Sequence, residues 1–159
     1  MSGGAGRVPP ETAIHRRVAA LRAGSDPTLI ARLASGWAVF GERQFLRGYA
    51  LLLPDPVVAT LNDLRGADRL RLLDDAAALG DALLEATGAL RINYAVFGNL
   101  EPALHVHVVP RYANEPGPLR TAHPWSYDWD AAPAFDPERD AALRDALLTI
   151  LGREGRLSS

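Results

Sequence analysis

Two of the chain's four histidines, His105 and His107, stand two residues apart in the run Ala103–Leu104–His105–Val106–His107–Val108–Val109, which Pro110–Arg111 ends. In an extended strand, residues i and i+2 share a face. Ala103, His105, His107 and Val109 are therefore expected on one side, and Leu104, Val106 and Val108 in a core on the other. An imidazole suits a core poorly unless its ring nitrogens find partners. A lone histidine of this kind is readily a partnered, half-exposed strand residue; a same-face pair points to a site. Two chemistries fit it. Neutral imidazoles in a His-x-His can chelate a metal, with His123, Glu101 or an aspartate of residues 128–136 as the third ligand and nothing to choose among them. Alternatively, an imidazole with a reference pKa of about 6.5 is mostly unprotonated at neutral pH and can attack phosphorus. The second imidazole would then reach an oxygen of the same phosphoryl group and, if protonated, steady its developing charge.

The rest of the chain removes competitors. It contains no cysteine, which excludes disulfides, thiol catalysis and thiolate zinc sites. All seventeen basic residues are arginine, so a lysine nucleophile or Schiff base is excluded too. A net charge of −2 gives no reason to expect nucleic acid or an anionic membrane as partner. No apolar run is long enough to cross a bilayer. The start, Met1–Ser2–Gly3–Gly4–Ala5–Gly6, lacks the apolar core of a signal peptide, so a cytoplasmic location is expected.

The elements that must position the pair follow from periodicity. At 159 residues the chain is expected to form one domain, with residues 1–9 disordered and 112–159 forming a C-terminal excursion and helix. Ile14, Val18 and Leu21 have helical spacing between Pro10 and about Ala23, closed by Asp26–Pro27. Trp37–Phe40 and Gly48–Leu53 read as an antiparallel hairpin around Gly41–Glu42–Arg43–Gln44, ending at Pro54–Asp55–Pro56. Asp63 to Thr87 is the longest helical signal, with Leu64, Leu70, Leu73, Ala77, Leu83 and Leu84 as its apolar stripe and Gly88 as its stop. Leu90–Phe97 and the histidine run supply further strands. Asn114 to Pro133 reads as an ordered, aromatic surface excursion, and Asp136–Pro137 is expected to open a final helix through Leu151. Helices set around an antiparallel sheet make an α+β domain.

The histidine run resembles the signature of the histidine triad (HIT) superfamily, His-φ-His-φ-His-φ-φ with φ apolar, often followed by Pro-Arg. Trp37 to Pro54 is similar to the superfamily's strand–turn–strand, and Ile92–Asn93 and Gly98–Asn99 to the polar stations before the triad, so the resemblance spans about Trp37 to Arg111. It implies a HIT-like sheet of about five strands, a homodimer, and a nucleotide or dinucleotide as ligand. It also implies a phosphohydrolase or nucleotidyl transferase acting at an α-phosphate, on dinucleoside polyphosphates or nucleoside phosphoramidates. In that register His105 is the nucleophile that forms a nucleotidyl-histidine and His107 contacts the phosphate oxygens. Asn93 matches a residue at the ribose–phosphate, Asn99 one near the phosphate and leaving group, and Gly98 a close backbone approach. No cofactor or metal is required in the chemical step, although a polyphosphate can arrive with magnesium. The sequence departs from the pattern at Ala103, where the first triad histidine is absent, at Tyr49, where a supporting histidine often stands, and at Gly41, where a polar residue often contacts base or ribose. A nucleotide-binding protein without catalysis is therefore the alternative, and a His-x-His metalloprotein the third.

Arg111, Arg120 and Arg43 are candidates to carry charge to a polyphosphate, Arg111 foremost because it follows the histidine strand. Each taken alone reads more simply as a solvated surface arginine. Trp125, Tyr127 and Trp129 with His123 are placed either to stack on a base or, more simply, to pin the tail to the sheet or to a dimer partner. His15, on the first helix, receives no role.

Overall fold

A computed structural model describes residues 11–159; the disorder expected of residues 1–9 lies outside the described residues. A single five-stranded antiparallel sheet organises them. Its strands are β1 (Leu29–Arg32), β2 (Gly36–Phe40), β3 (Ala50–Pro54), β4 (Arg91–Ala95) and β5 (Val106–Arg111), in the spatial order β1-β2-β3-β5-β4. The architecture is α+β, as the periodicity implies. Strand β1 is an addition: Leu29–Arg32 is too short to show a period of its own. β5 enters between β3 and β4, with Leu51 opposite His107 on one side and Ala95 opposite His107 on the other.

The period-two alternation of β5 sends its neighbours to two cores. Leu104, Val106 and Val108 join Phe40, Leu52 and the helices α2 (Gly66–Thr87) and α4 (Ala141–Arg153) on one face, the short α3 (Gly117–Arg120) lying between these two in the chain. Val109 and Ala103 join Leu51, Leu53 and Val39 on the other, where α1 (Ala13–Arg22) packs with Ile14, Val18 and Leu21. The residues expected to share the histidine face do so, although the strand itself begins only at Val106. Helix α1 starts on a reciprocal cap: Thr12 Oγ1 accepts the His15 N–H, and His15 Nδ1 accepts the Thr12 N–H at 3.2 Å. His15 thus has a structural role that its position on the helix did not announce.

Helix α2 differs from expectation in phase. Leu72, Leu79 and Leu83 are fully buried with Ala76 close behind, at spacings of three and four, whereas Leu70 and Leu73 are exposed. So many leucines and alanines fill this helix that more than one stripe can be drawn through it, and the packing against α4 and the sheet selects one. The helix begins at Gly66, after a separate 3₁₀ turn at Leu61–Asp63, and ends as expected at Gly88, whose φ of 69° is the left-handed cap. Its buried Asp75 accepts the Ser35 N–H at 2.8 Å and the Ser35 hydroxyl at 2.6 Å, tying it to the β1–β2 turn. The last helix starts later than Asp136. That carboxylate accepts the N–H groups of Glu138 and Arg139, capping a turn, and α4 begins only after Asp140. No helix among the described residues is long and apolar enough to cross a membrane.

Candidate functional site

The two imidazoles meet edge to face, with ring centroids 4.8 Å apart and planes at 71°. Each is held by a different partner. His105 Nδ1 lies 2.7 Å from the Ala103 carbonyl oxygen. A carbonyl can only accept, so Nδ1 carries a proton, and in the neutral ring Nε2 keeps a bare lone pair. His107 Nδ1 lies 2.8 Å from the Tyr49 hydroxyl, at the entrance of β3. Burial first, and the neighbouring His105 second, push the His107 imidazole down to about 4. It is therefore neutral at physiological pH, and not the cation that the strand pattern also allowed.

A cleft of about 600 Å³ opens beside the pair, between α1 and the β2–β3 turn. His105, His107, Tyr49, Arg43, Glu101 and Trp129 line it. Glu101 contributes a buried Oε1 that has no hydrogen-bond partner among the described residues, an acceptor turned to no group of the protein. Arg43 is tethered at one end, Nη1 donating to the Ala132 carbonyl at 3.1 Å. Aromatic rings crowd the histidine pair. Trp129 stacks on Phe45 at 4.1 Å and meets Tyr49 edge-on at 5.1 Å, while Trp125, 43% exposed, meets His107 at 4.9 Å. Tyr127 donates to Glu115 at 2.6 Å. These aromatics pin the excursion to the sheet, and Trp125 alone keeps a substantial open surface at the site. Trp125 and His123 both line a neighbouring cleft along β4.

Arg111 does not carry charge to a ligand here. The residue is buried, and its guanidinium is spent on the protein. Nε and Nη2 donate to Glu115 at 3.0 and 2.9 Å, Nη1 to Asn93 Oδ1 at 2.8 Å and to the Ala122 carbonyl at 2.9 Å, and Nη2 to the Leu119 carbonyl at 2.8 Å. Five donors have five acceptors, which leaves none for a phosphate. Burial alone would raise the Glu115 carboxyl, but hydrogen bonds from Arg111, Tyr127 and the Tyr112 N–H together hold it below the usual carboxylate range. Asn93 is consequently half spent: its oxygen belongs to Arg111, and the residue lines the cleft of about 860 Å³ that runs along β4 with Arg120 and His123. Gly98 and Asn99 sit on the β4–β5 loop, where Asn99 is exposed and neither residue lines either cleft. Of the six residues singled out by sequence, His105 and His107 come together, and the other four do not converge on them.

A metal centre finds no third ligand. Among the described residues no group of three or more His, Cys, Asp or Glu side chains could hold an ion.

Sheet order and helix placement can be set beside solved structures. A histidine triad protein of Marinobacter aquaeolei VT8 superposes with a TM-score of 0.71 at 21% identity, covering 91% of this chain and 98% of that one. A histidine triad protein of Sinorhizobium meliloti 1021 gives 0.68 at 22% identity, over 82% and 94%. The chain has the histidine triad fold. A hypothetical histidine triad nucleotide-binding protein of Sulfolobus tokodaii strain 7 shares this fold at 12% identity, with a TM-score of 0.67 over 86% of this chain and 91% of that one. No family model matches the sequence, and no curated protein matches it. Within the histidine triad fold, the incomplete signature acquires a physical meaning. Ala103 has no exposed surface and packs in the α1-side core, and its backbone carbonyl supplies the hydrogen bond that orients His105.

Proposed function

We propose that this protein is a nucleotide-binding phosphohydrolase or nucleotidyl transferase in which His105 attacks the α-phosphorus of a nucleotide or dinucleotide. The observation that carries this reading is the Nδ1–H bond from His105 to the Ala103 carbonyl, which leaves Nε2 unprotonated in a ring lining the cleft. In the first step the Nε2 lone pair forms a bond to phosphorus as the bond to the leaving group breaks. The leaving group departs with that electron pair and takes its proton from water. The imidazole becomes cationic, and its Nδ1–H bond to the carbonyl strengthens as charge develops. Water then attacks phosphorus in line and gives up its proton to the hydroxide left by the first step, the N–P bond returns its pair to Nε2, and a nucleoside monophosphate leaves with His105 restored. In this reading the His107 N–H and the Arg43 guanidinium, which line the same cleft, hold phosphoryl oxygens throughout. A homodimer, as the sequence resemblance implies, belongs to the same reading, and a cytoplasmic location is kept with it; sedimentation of the full chain tests the first.

The deciding experiment compares the parent with His105→Ala on dinucleoside polyphosphates and nucleoside phosphoramidates. Monophosphate release is expected to disappear while nucleotide binding survives, and a phosphohistidine adduct is expected on the parent alone. Release by His105→Ala at the parental rate sinks the mechanism. One observation favours a second reading. The space of the first triad histidine is filled by a packed alanine side chain, so a binding module without turnover would show nucleotide affinity and no monophosphate.

A further inference from the structure

The roles of the two imidazoles differ because their protons sit on different nitrogens, and only one of these placements is dictated by the backbone. His107 has no carbonyl partner; its Nδ1 faces the Tyr49 hydroxyl. A hydroxyl can donate or accept. Tyr49 is 3% exposed, and its hydroxyl has no other partner among the described residues. Were it to accept from His107, its own proton would be stranded in a buried place, a loss that donation avoids. We propose that Tyr49 is a positioning residue. By donating to His107 Nδ1 it fixes the tautomer in which Nε2 carries the hydrogen offered to a phosphoryl oxygen. This rests on the phosphoryl-transfer reading above and assigns the part that Tyr49 takes in it.

Two further features support this. The Tyr49 ring lies nearly parallel to the His107 ring, at 11° and 6.0 Å between centroids. It also occupies the space over Gly41: a Cβ there would fall 2.1 Å from Tyr49 Cε1, so position 41 has no room for a side chain while the tyrosine stands where it does. Gly41 and Tyr49 thus act as one substitution. The ring is further clamped by Phe45 and Trp129, and the Gly41 N–H donates to the Tyr49 carbonyl at 2.9 Å. Burial drives the phenol well above its ordinary range, so it keeps its proton to donate at any working pH. The charged and titratable groups that line the cleft beside the pair are Arg16 and Arg17 from α1, Glu42 and Arg43 from the β2–β3 turn, and Glu101 before β5, with His105 itself next to His107.

Imidazole nitrogen NMR on the full chain reads the tautomer directly and does not depend on activity. At pH 7 the parent is expected to show His107 protonated at Nε2 and His105 protonated at Nδ1. A His107 carrying its proton on Nδ1 overturns the proposal before any variant is made. Tyr49→Phe keeps the ring and removes the donor. It should give a mixed His107 tautomer, lower kcat about tenfold with KM within twofold, and move the acid limb of the pH profile upward, because a freed Nδ1 protonates more readily. Gly41→Ala should displace the ring and reproduce the tautomer mixture with the hydroxyl still present. An unchanged His107 tautomer in Tyr49→Phe, or a changed one with parental kcat and pH profile, overturns the proposal. Absence of turnover in the parent with the predicted tautomers present would sink the hydrolase reading and leave the Tyr49–His107 donation standing.

Discussion

The His105–His107 pair and the Arg111–Glu115–Asn93 node lie on the same face of the sheet, with His107 and Arg111 four residues apart along β5, and they are opposite kinds of polar cluster. In the node every donor of the guanidinium has an acceptor, and Glu115 is further bound by Tyr127 and by the Tyr112 N–H. In the pair each ring is held at Nδ1 only, and a buried oxygen of Glu101 in the same cleft has no partner. A polar group whose capacity is filled by the protein holds structure, and one whose remaining capacity faces a cavity is available to a ligand. Residue type alone would have ranked Arg111 as the better phosphate ligand; counting its acceptors reverses that.

Mutations should separate the two clusters cleanly. The largest effect expected is on turnover: His105→Ala should reduce monophosphate release by on the order of 10⁴-fold while the thermal midpoint hardly moves, measured by a discontinuous product assay beside calorimetry. Arg111→Ala should do the reverse, costing about 3–5 kcal/mol of stability because Glu115 is left buried and unpaired. The Arg111→Ala/Glu115→Ala double variant should lose less than the sum of the single losses in denaturant titrations. Additive losses would show that the pair is not a coupled unit.

Acid should act on both clusters in sequence. The folded-state pKa of His107 lies below its unfolded value of about 6.5. The unfolded chain therefore binds the extra proton, and stability falls as pH drops from about 6.5 toward 4. The lowered Glu115 carboxyl contributes stability that is present above its unfolded pKa and lost only as pH falls through its folded one, a later stage. His107→Gln should flatten the first part of this dependence in urea titrations against pH and leave the second. The smallest effect expected is that of Asn99→Ala, on the exposed loop: less than about 0.5 kcal/mol in stability. A severalfold rise in KM for that variant would show that the loop closes over the bound ligand.

The candidate pair was legible in the sequence because period-two alternation is a local signal, and the Ile14, Val18, Leu21 helix and the Gly88 stop were legible for the same reason. What could not be read depended on distant partners. The phase of α2 is set by α4 and the sheet. The fate of Arg111 is decided by Glu115 and by the carbonyls of Leu119 and Ala122, which a chain reversal brings back over the strand. Tyr49 was visible as a departure from the histidine triad pattern, yet its donation to His107 requires the register that sets Leu51 opposite His107. The one available signal was that Tyr49 and Leu51 share a face in a strand bordering the histidine run.

That register has a consequence for how the molecule comes together. β1, β2 and β3 pair across short connections, and β4 pairs with β5 within a second local unit. Only the β3–β5 ladder joins the two, and it must close a loop that contains the whole of α2. The entropy of that closure has to be met before its contacts give anything back. Tyr49 belongs to the first unit and His107 to the second, so their hydrogen bond exists only once the sheet has been sealed. The cleft is in this sense a reporter of completed folding: neither half of the chain carries it alone.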